Sequence, residues 1–215
     1  MQKKHLVIAI YDPEWFIRVR ELLKKRGVLF SYLYSPLEVP FSSVFYTDHK
    51  EFVDSISERG DLEVIYDPEH DCRGIEQAVM ATYLIESFRE LVVGVDPGKY
   101  IAYVALGDGT LVDYGKTDIL GFVEELKYFL KCIPSQSFRV KIGASPKGLE
   151  LVQVLRKEFK LPFEIVPEEK TSPAIESRDE IRYIAEKMRR GLRPFRFKDV
   201  YAAYRIALKK GVEVL

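Results

Sequence analysis

Carboxylates that directly follow predicted strands are the side chains of this chain whose type and position could do chemistry. Asp96 ends the apolar run Leu91–Val95, and Pro97-Gly98 turns the chain immediately after it. The strand fixes the carboxylate and the turn exposes it, as a magnesium site requires, because hard cations take oxygen ligands. The tripeptide alone is more typical of an ordinary turn. Its position on the first strand of a three-strand unit favours a metal site.

Three more acidic residues occupy comparable positions further along the chain. Glu168 and Glu169 follow the predicted strand Phe163–Val166, and Asp199 begins a predicted helix. Small residues on that helix would let it lie close to a sheet and bring Asp199 toward the strand ends; they are Ala202, Ala203 and Ala207. Structural alternatives stay open for both. A charged loop that ends in a helix cap is the better interpretation of the glutamates alone, and Asp199 also suits the positive end of a helix dipole.

A basic segment lies just before Asp199. Its charged residues are Arg189, Arg190, Arg193, Arg196 and Lys198, with Phe195 and Phe197 interleaved. Arginine contacts phosphates and aromatic rings stack on bases, so the segment predicts nucleic-acid binding. A solvated linker anchored by the two phenylalanines explains the charge clustering about as well, and the adjacent Asp199 favours nucleic acid.

The first half of the chain, residues 1–89, predicts a small α/β domain. Short apolar runs alternate there with segments of helical spacing, and this βαβαβα order implies a parallel sheet covered by helices. Asp12, Asp48 and Asp67 follow strands in this half. Helix caps and turns explain them better than a ligand site at the strand ends does. The sequence has no glycine-rich phosphate loop, so the role of this domain stays open.

The second half, residues 90–215, has a different order. Three strands come first, and Gly107-Asp108-Gly109 between the second and the third is a strong hairpin signal. Strands then alternate with helices, and two helices are predicted near the end, over Ser177–Arg190 and Lys198–Lys209. The order βββαβαβ predicts an RNase H-like domain. The predicted fold class is therefore α/β, with an N-terminal βαβ parallel-sheet domain followed by an RNase H-like mixed-sheet domain.

Four motifs, taken in order, resemble the RuvC/YqgF group of Holliday-junction-resolvase-like nucleases. They are GVDPG (Gly94–Gly98), IGASPKG (Ile142–Gly148), PEEKTS (Pro167–Ser172) and DVYAAYRIAL (Asp199–Leu208). The resemblance covers roughly Leu91–Lys210. RuvC resolvases are expected to carry a glutamate at the end of the fourth strand, where this chain has no acid, and Lys170 stands where the YqgF-like motif has arginine. The resemblance is therefore to the YqgF-like branch.

This resemblance implies a metal-dependent nuclease that acts on structured or branched DNA or RNA. Its catalytic acids and metal ligands would be Asp96, Glu169 and Asp199, with Glu168 as the alternative to Glu169, and its cofactor would be Mg²⁺ or Mn²⁺. Two such ions activate water and stabilise the leaving oxygen in phosphodiester hydrolysis. Because resolvases usually act as dimers, a homodimer is also implied.

Two rival functions remain at this point. The imperfect acidic motif favours a catalytically inactive nucleic-acid-binding or scaffold protein on the same fold. A phosphotransfer ATPase of the actin-like superfamily is a weaker rival, because that superfamily duplicates the RNase H-like unit, whereas the two halves here have different strand orders.

Composition sets few further limits. Lys+Arg and Asp+Glu balance at 33 each and hydrophobic residues make up 47% of the chain, which is ordinary globular composition and allows a local basic patch. No signal peptide and no apolar run of membrane-spanning length is evident, so we expect a cytoplasmic protein without a membrane partner. Cys72 and Cys132 have no metal-ligand spacing and are expected to be free thiols. The three histidines show no zinc-ligand spacing.

Overall fold

The structure is a computed structural model that describes residues 2–33, 35–167 and 198–214. Contacts divide the chain into two units, one within Met1–Ser87 plus Tyr128–Pro134 and the other within Phe88–Lys127 plus Ser135–Leu215. We call them the N-terminal and the C-terminal unit. No helix in these described ranges combines the length and the apolar character needed to cross a membrane.

The N-terminal unit is built on a parallel sheet of four strands in the order β2-β1-β3-β4. Its elements are β1 (Leu6–Ala9), α1 (Pro13–Lys25), β2 (Phe30–Tyr32), a short 3₁₀ helix (Pro36–Glu38), β3 (Val44–Thr47), α2 (Lys50–Ser55), β4 (Glu63–Tyr66) and α3 (Cys72–Ala81). All residues of β1 and β3 are buried, as expected when helices cover both faces of a parallel sheet. The predicted βαβ parallel-sheet fold of this half is confirmed.

Two cross-links stabilise the N-terminal unit internally. Cys72 and Cys132 form a disulfide with their Cα atoms 5.3 Å apart, so the expectation of free thiols is wrong. The two residues are 60 positions apart in sequence, and that spacing gave no sign of the pairing. A buried ion pair is the second link: the Arg26 guanidinium lies 2.7 Å from the Glu76 carboxylate, and their side chains are 5% and 1% exposed.

The C-terminal unit is built on a mixed sheet of six strands in the order β10-β9-β8-β5-β6-β7. Its elements are β5 (Phe88–Pro97), β6 (Ile101–Gly107), β7 (Thr110–Thr117), α4 (Ile119–Cys132), β8 (Ser135–Gly143), α5 (Pro146–Glu158), β9 (Phe163–Val166), α6 (Lys198–Leu208) and β10 (Val212–Val214). Residues 128–132 of α4 belong to the N-terminal unit. Strands β5, β6 and β7 are antiparallel, and β8 and β9 run parallel to β5. This arrangement is the predicted RNase H-like topology.

The hairpin of β6 and β7 forms where the sequence predicts it. Asp108 and Gly109 have φ angles of 47° and 76°, the positive values that a type I′ turn needs at both central positions. The Asp108 carboxylate also accepts hydrogen bonds from the backbone N–H groups of Arg89 and Glu90, at 3.2 and 3.0 Å. The turn is thereby attached to the start of β5.

Helix α6 packs closely on one face of this sheet because glycine stands beneath it. A Cβ at Gly94 would lie 2.2 Å from the Ala203 carbonyl oxygen and 2.6 Å from the Ala207 Cβ. The apolar cluster between helix and sheet includes Val92, Val104 and Tyr201. At the other end of the helix, Lys141 Nζ donates to the carbonyl oxygens of residues 207 and 209, at 3.2 and 2.7 Å. The small residues read from the sequence therefore do let the helix lie on the sheet.

Some boundaries differ from the sequence-based expectation. The apolar spacing in the sequence predicts a helix near Gly74–Phe88, whereas α3 covers Cys72–Ala81 and Phe88 begins β5. Strand β10 was not expected; it pairs antiparallel with β9. The predicted helix at Ser177–Arg190 lies outside the described residues.

Candidate functional site

Asp96 stands near the carboxyl end of β5, as predicted, on the face that α6 covers. Successive residues of a strand point to opposite faces, so Asp96 shares its face with Val92 and Gly94, both of which lie beneath α6. Asp96 is partly buried. The next residue along the strand, Pro97, is the last of β5. Asp96 is thus held by a rigid strand at the end of the sheet where the carboxyl ends of β5, β8 and β9 lie side by side. We call this end of the sheet the edge that carries Asp96.

Lys116, which was not predicted from the sequence, lies in the same line of paired residues across the strands as Asp96. Asp96 pairs with Ala102 on β6, and Ala102 pairs with Lys116 on β7. Directly paired residues project from the same face, and two strand spacings separate the outer members of the line by roughly 10 Å. Lys116 therefore projects from the face that carries Asp96.

Asp199 contacts this lysine. The Lys116 Nζ donates to the Asp199 carboxylate, and the two side chains are 32% and 46% exposed. Asp199 is the second residue of α6. The helix runs obliquely across the sheet, from Asp199 beside β7, over Gly94 of β5, to the Lys141 side chain of β8. The structure thus brings Asp96 and Asp199 to the same edge and the same face, with Asp199 on the β7 side.

The IGASPKG motif builds the start of α5 at this edge. Ser145 caps the helix, its Oγ accepting from the Gly148 N–H at 3.1 Å. A Cβ at Gly148 would lie 2.2 Å from the Gly143 carbonyl oxygen and 3.3 Å from Pro97 Cγ. The glycine therefore allows the first turn of α5 to lie against the carboxyl ends of β8 and β5, next to Pro97, the residue that follows Asp96.

A divalent ion needs more oxygen ligands than the described residues supply here. β8 contributes no acid: Val95 pairs with Ile142, which leaves Gly143 as the neighbour of Asp96. Asp199 already has an ammonium partner in Lys116. Within residues 2–33, 35–167 and 198–214, no group of three or more His, Cys, Asp or Glu side chains is placed to hold a metal ion. The described donors alone therefore do not fit the Mg²⁺ or Mn²⁺ that the resemblance implies.

Most of the remaining predicted site residues lie outside the described part of the chain. These are Glu168, Glu169, Arg189, Arg190, Arg193 and Arg196. Pro167, the last described residue before them, directly follows β9, whose Val166 pairs with Gly143. Lys198 is described, and it is the exposed first residue of α6 beside Asp199.

The strand-end acids of the N-terminal unit serve structural roles. Asp12 caps α1 by accepting from the Trp15 N–H at 2.6 Å. Asp48 accepts from the backbone N–H groups of residues 11 and 12, at 2.7 and 3.1 Å, and lies 3.0 Å from His70 Nε2. These contacts match the interpretation of both acids as caps and turn residues.

Asp67 also holds a loop of the N-terminal unit, and it is buried. Its carboxylate accepts from the Tyr46 hydroxyl at 2.6 Å and from the Asp71 N–H at 2.9 Å. Burial, and then the hydrogen bond to Asp67, raise the pKa of Tyr46 far above its ordinary value. The tyrosine therefore remains a proton donor to Asp67, and it accepts in turn from the Trp15 indole at 2.7 Å.

Two solved structures are distantly similar to this chain. No protein-family model matches the chain, and no curated protein matches it. The Marinitoga piezophila Argonaute, solved in complex with a 5′ OH guide RNA, is 12% identical over 77% of this chain with a TM-score of 0.30. This chain spans 40% of the length of that Argonaute chain. The T. thermophilus RuvC, solved in complex with a Holliday junction substrate, is 17% identical over 55% of this chain and 90% of its own, with a TM-score of 0.39. At these values the RNase H-like fold rests on the strand order of the C-terminal unit itself.

Proposed function

We propose that this protein is a nuclease of the resolvase-like kind that hydrolyses phosphodiester bonds in structured or branched nucleic acid. The observation that supports the proposal is that Asp96 and Asp199 lie at the same edge and on the same face of an RNase H-like sheet. The two residues are far apart in sequence, and each belongs to a motif that resembles the resolvase group. Nucleic acid, DNA or RNA, is the proposed partner.

Metal dependence is part of this proposal. Asp96 and Asp199 supply two carboxylates, and we assign the further ligand to Glu169, or to Glu168 in its place. Mg²⁺ or Mn²⁺ held there would supply Lewis-acid stabilisation of the charge that develops on the phosphate oxygens. Arg189, Arg190, Arg193, Arg196 and Lys198 are the proposed phosphate contacts from the segment that leads into α6. A homodimer and a cytoplasmic location remain expectations from the resemblance and the sequence.

Cleavage assays with a four-way DNA junction and a stem-loop RNA test the activity. We expect cleavage with Mg²⁺ or Mn²⁺ and none with EDTA. Asp96→Asn should lower the rate on the order of 100-fold or more, the scale seen when a group that stabilises the transition state is lost. Glu124→Gln is the matched control, since Glu124 is an exposed acid on α4 in the same unit. Equal rates for Asp96→Asn and the unsubstituted protein would contradict the proposal.

A non-catalytic nucleic-acid-binding protein is the second candidate function. Two observations favour it: the ammonium of Lys116 on Asp199, and the glycine at residue 143, beside Asp96 in the sheet. This candidate predicts tight binding of the same substrates without cleavage under any metal. It also predicts that Asp96→Asn leaves the binding constant unchanged.

A further inference from the structure

Four exposed lysines that are far apart in sequence meet at the sheet edge that carries Asp96. They are Lys99, Lys116, Lys147 and Lys198. Lys99 lies in the turn after β5, Lys116 near the end of β7, Lys147 in the first turn of α5 and Lys198 at the start of α6. Since β7 runs antiparallel to β6, its end lies at the same edge as the ends of β5 and β8.

The contacts of these elements bring the lysines to the same end of the sheet, Lys116 and Lys198 on the face of α6 and Lys147 on the face of α5. Lys116 contacts the Asp199 carboxylate, and Asp199 directly follows Lys198. The first turn of α5, with Lys147, lies against Pro97, two residues before Lys99. Among the described residues, three aspartates lie at this edge, Asp96, Asp118 and Asp199. Asp118 accepts from the Gly121 N–H at the start of α4. Among the described residues the lysines outnumber these aspartates, and their exposed ammonium groups are available to contact the phosphates of a polyanion.

An aromatic ring stands within this group of lysines. Tyr100 lies in the turn between β5 and β6 and is 47% exposed. The ammonium groups of Lys99 and Lys116 each lie 5.7 Å from the centroid of its ring. Its backbone is fixed by the hydrogen bond from the Gly98 N–H to the Tyr100 carbonyl oxygen, at 3.1 Å. An exposed, anchored ring between cations is the arrangement on which an unpaired base stacks while its phosphates contact lysine.

We infer that Tyr100 and the four lysines bind an unpaired strand of nucleic acid across the edge that carries Asp96. The inference rests on the proposed function for the location of the site, and it adds the form of the substrate. A base inside a duplex presents no free face to a tyrosine, whereas a base in a single strand, a bulge or a junction does. The lysines contact the phosphates on both sides of that base, so Lys116 and Tyr100 position the strand next to Asp96.

Fluorescence anisotropy with the full chain tests this inference independently of cleavage. The probes are a labelled DNA and a labelled RNA single strand of about 16 nucleotides, at the upper end of single-strand site sizes, and the matching duplexes. EDTA is present throughout, so that binding is measured without hydrolysis. We expect the single strands to bind more tightly than the duplexes. Tighter binding of the duplexes would overturn the inference.

Substitutions at the tyrosine separate stacking from charge. Tyr100→Leu should weaken single-strand binding about 10-fold, because base stacking on the ring is lost. Tyr100→Phe, which keeps the ring, should bind within twofold of the unsubstituted protein. Equal binding by Tyr100→Leu and Tyr100→Phe would overturn the stacking role.

Substitutions at the lysines test the phosphate contacts through salt dependence. For single strands, each lost phosphate contact should reduce the slope of log affinity against log salt concentration by about 0.7. We expect this change for Lys116→Gln and for Lys147→Gln. Lys127→Gln is the control, because Lys127 is paired with Glu124 on α4, and its slope should equal that of the unsubstituted protein. Unchanged slopes for both Lys116→Gln and Lys147→Gln would overturn the inference.

The two proposals fail in distinguishable ways. Cleavage that depends on Asp96, together with normal binding by the tyrosine and lysine variants, would overturn this inference and leave the nuclease proposal intact. Binding that depends on Tyr100 and Lys116, with no cleavage under any metal, would support the inference and contradict the nuclease proposal.

Discussion

Aspartates lie near the ends of strands in both units, but their carboxylates have different partners. In the N-terminal unit, Asp48 has a side chain that is 5% exposed, and it accepts hydrogen bonds from two backbone N–H groups of the neighbouring loop. In the C-terminal unit, Asp199 is 46% exposed and its carboxylate meets the ammonium of a lysine from another strand. A carboxylate that backbone N–H groups hold, as they hold Asp48, thus has a structural role and says little about chemistry.

The same contrast extends to the other polar side chains of the two units. The N-terminal unit is cross-linked internally by the Cys72–Cys132 disulfide and by the Arg26–Glu76 pair. In the C-terminal unit, the lysines at the edge of Asp96 remain at the surface. We therefore expect substitutions of polar residues to cost stability in the first unit and binding or activity in the second.

Loss of the disulfide should have the largest effect on stability. The bond joins residues 60 positions apart, and closing a loop of that length stabilises the folded chain by about 4 kcal/mol in the chain-entropy model. We expect the double variant Cys72→Ser, Cys132→Ser to lower the free energy of unfolding of the N-terminal unit by about this amount. Trp15, the single tryptophan of the chain, lies in this unit, so its fluorescence during urea unfolding measures the change.

The C-terminal unit provides the control for this prediction. Amide hydrogen exchange of β5 and β6 reports the opening of that unit separately, and we expect it to be unchanged in the double variant. An unaltered urea midpoint by Trp15 fluorescence would show that the disulfide does not stabilise the N-terminal unit.

Asp48→Asn should have the next largest effect and tests the contrast between the aspartates directly. The asparagine keeps one acceptor oxygen but directs an NH₂ group at a backbone N–H, so one of the two donors that Asp48 holds loses its acceptor. Hydrogen bonds to charged groups contribute about 1.5–3 kcal/mol each. We therefore expect the free energy of unfolding of the N-terminal unit to fall by about 3 kcal/mol, measured by Trp15 fluorescence during urea unfolding.

Asp199→Asn is the matched substitution in the C-terminal unit. Its partner Lys116 is 32% exposed and Asp199 itself 46% exposed, and exposed ion pairs contribute less than about 1 kcal/mol. We expect the free energy of opening of the C-terminal unit, measured by amide hydrogen exchange, to change by no more than that. Comparable losses for both variants would show that the two aspartates serve the same structural role.

Local patterns in the sequence were enough to predict much of the fold and the positions of Asp96 and Asp199 within it. The position of Asp96 follows from an apolar strand and a Pro-Gly turn, and the hairpin follows from Gly107-Asp108-Gly109, because both signals are contiguous in sequence. Asp199 was predicted from the small residues of its helix. Its contact with Lys116 was not, because that contact depends on the oblique direction of α6 across the sheet.

Lys116 was missed for a specific reason, an irregularity in the hairpin. Gly107 pairs with Thr110 and Leu106 with Leu111, but Ala105 pairs with Asp113, so Val112 is an extra residue on β7. Regular counting from the turn would place Gly115 opposite Ala102 and would direct Lys116 to the other face of the sheet. A single bulged residue therefore decides that a lysine shares the face of Asp96. The disulfide was missed because pairing across 60 positions depends on the tertiary fold.

Gly94→Ala should have a smaller effect than loss of the disulfide or of the Asp48 carboxylate, and it tests how α6 is held on the sheet of the C-terminal unit. The added Cβ would lie 2.2 Å from the Ala203 carbonyl oxygen, which belongs to the backbone of α6, so the helix must move. Overpacking of this kind costs typically 1–3 kcal/mol. We therefore expect the free energy of opening of the C-terminal unit, measured by hydrogen exchange of β5, to fall by about 2 kcal/mol.

Movement of α6 would also shift Asp199, so Gly94→Ala should weaken whatever activity or binding Asp199 supports. Gly60→Ala is the control, because a Cβ at Gly60 meets nothing within 4 Å, and it lies in the N-terminal unit. We expect no loss of stability there. If Gly94→Ala were as stable as Gly60→Ala, α6 would not depend on close backbone approach. The position of Asp199 would then be set by the contacts of Lys116 and Lys141 with α6. Charged side chains would in that case fix α6 in the C-terminal unit, as the Asp48 carboxylate fixes a loop in the N-terminal unit.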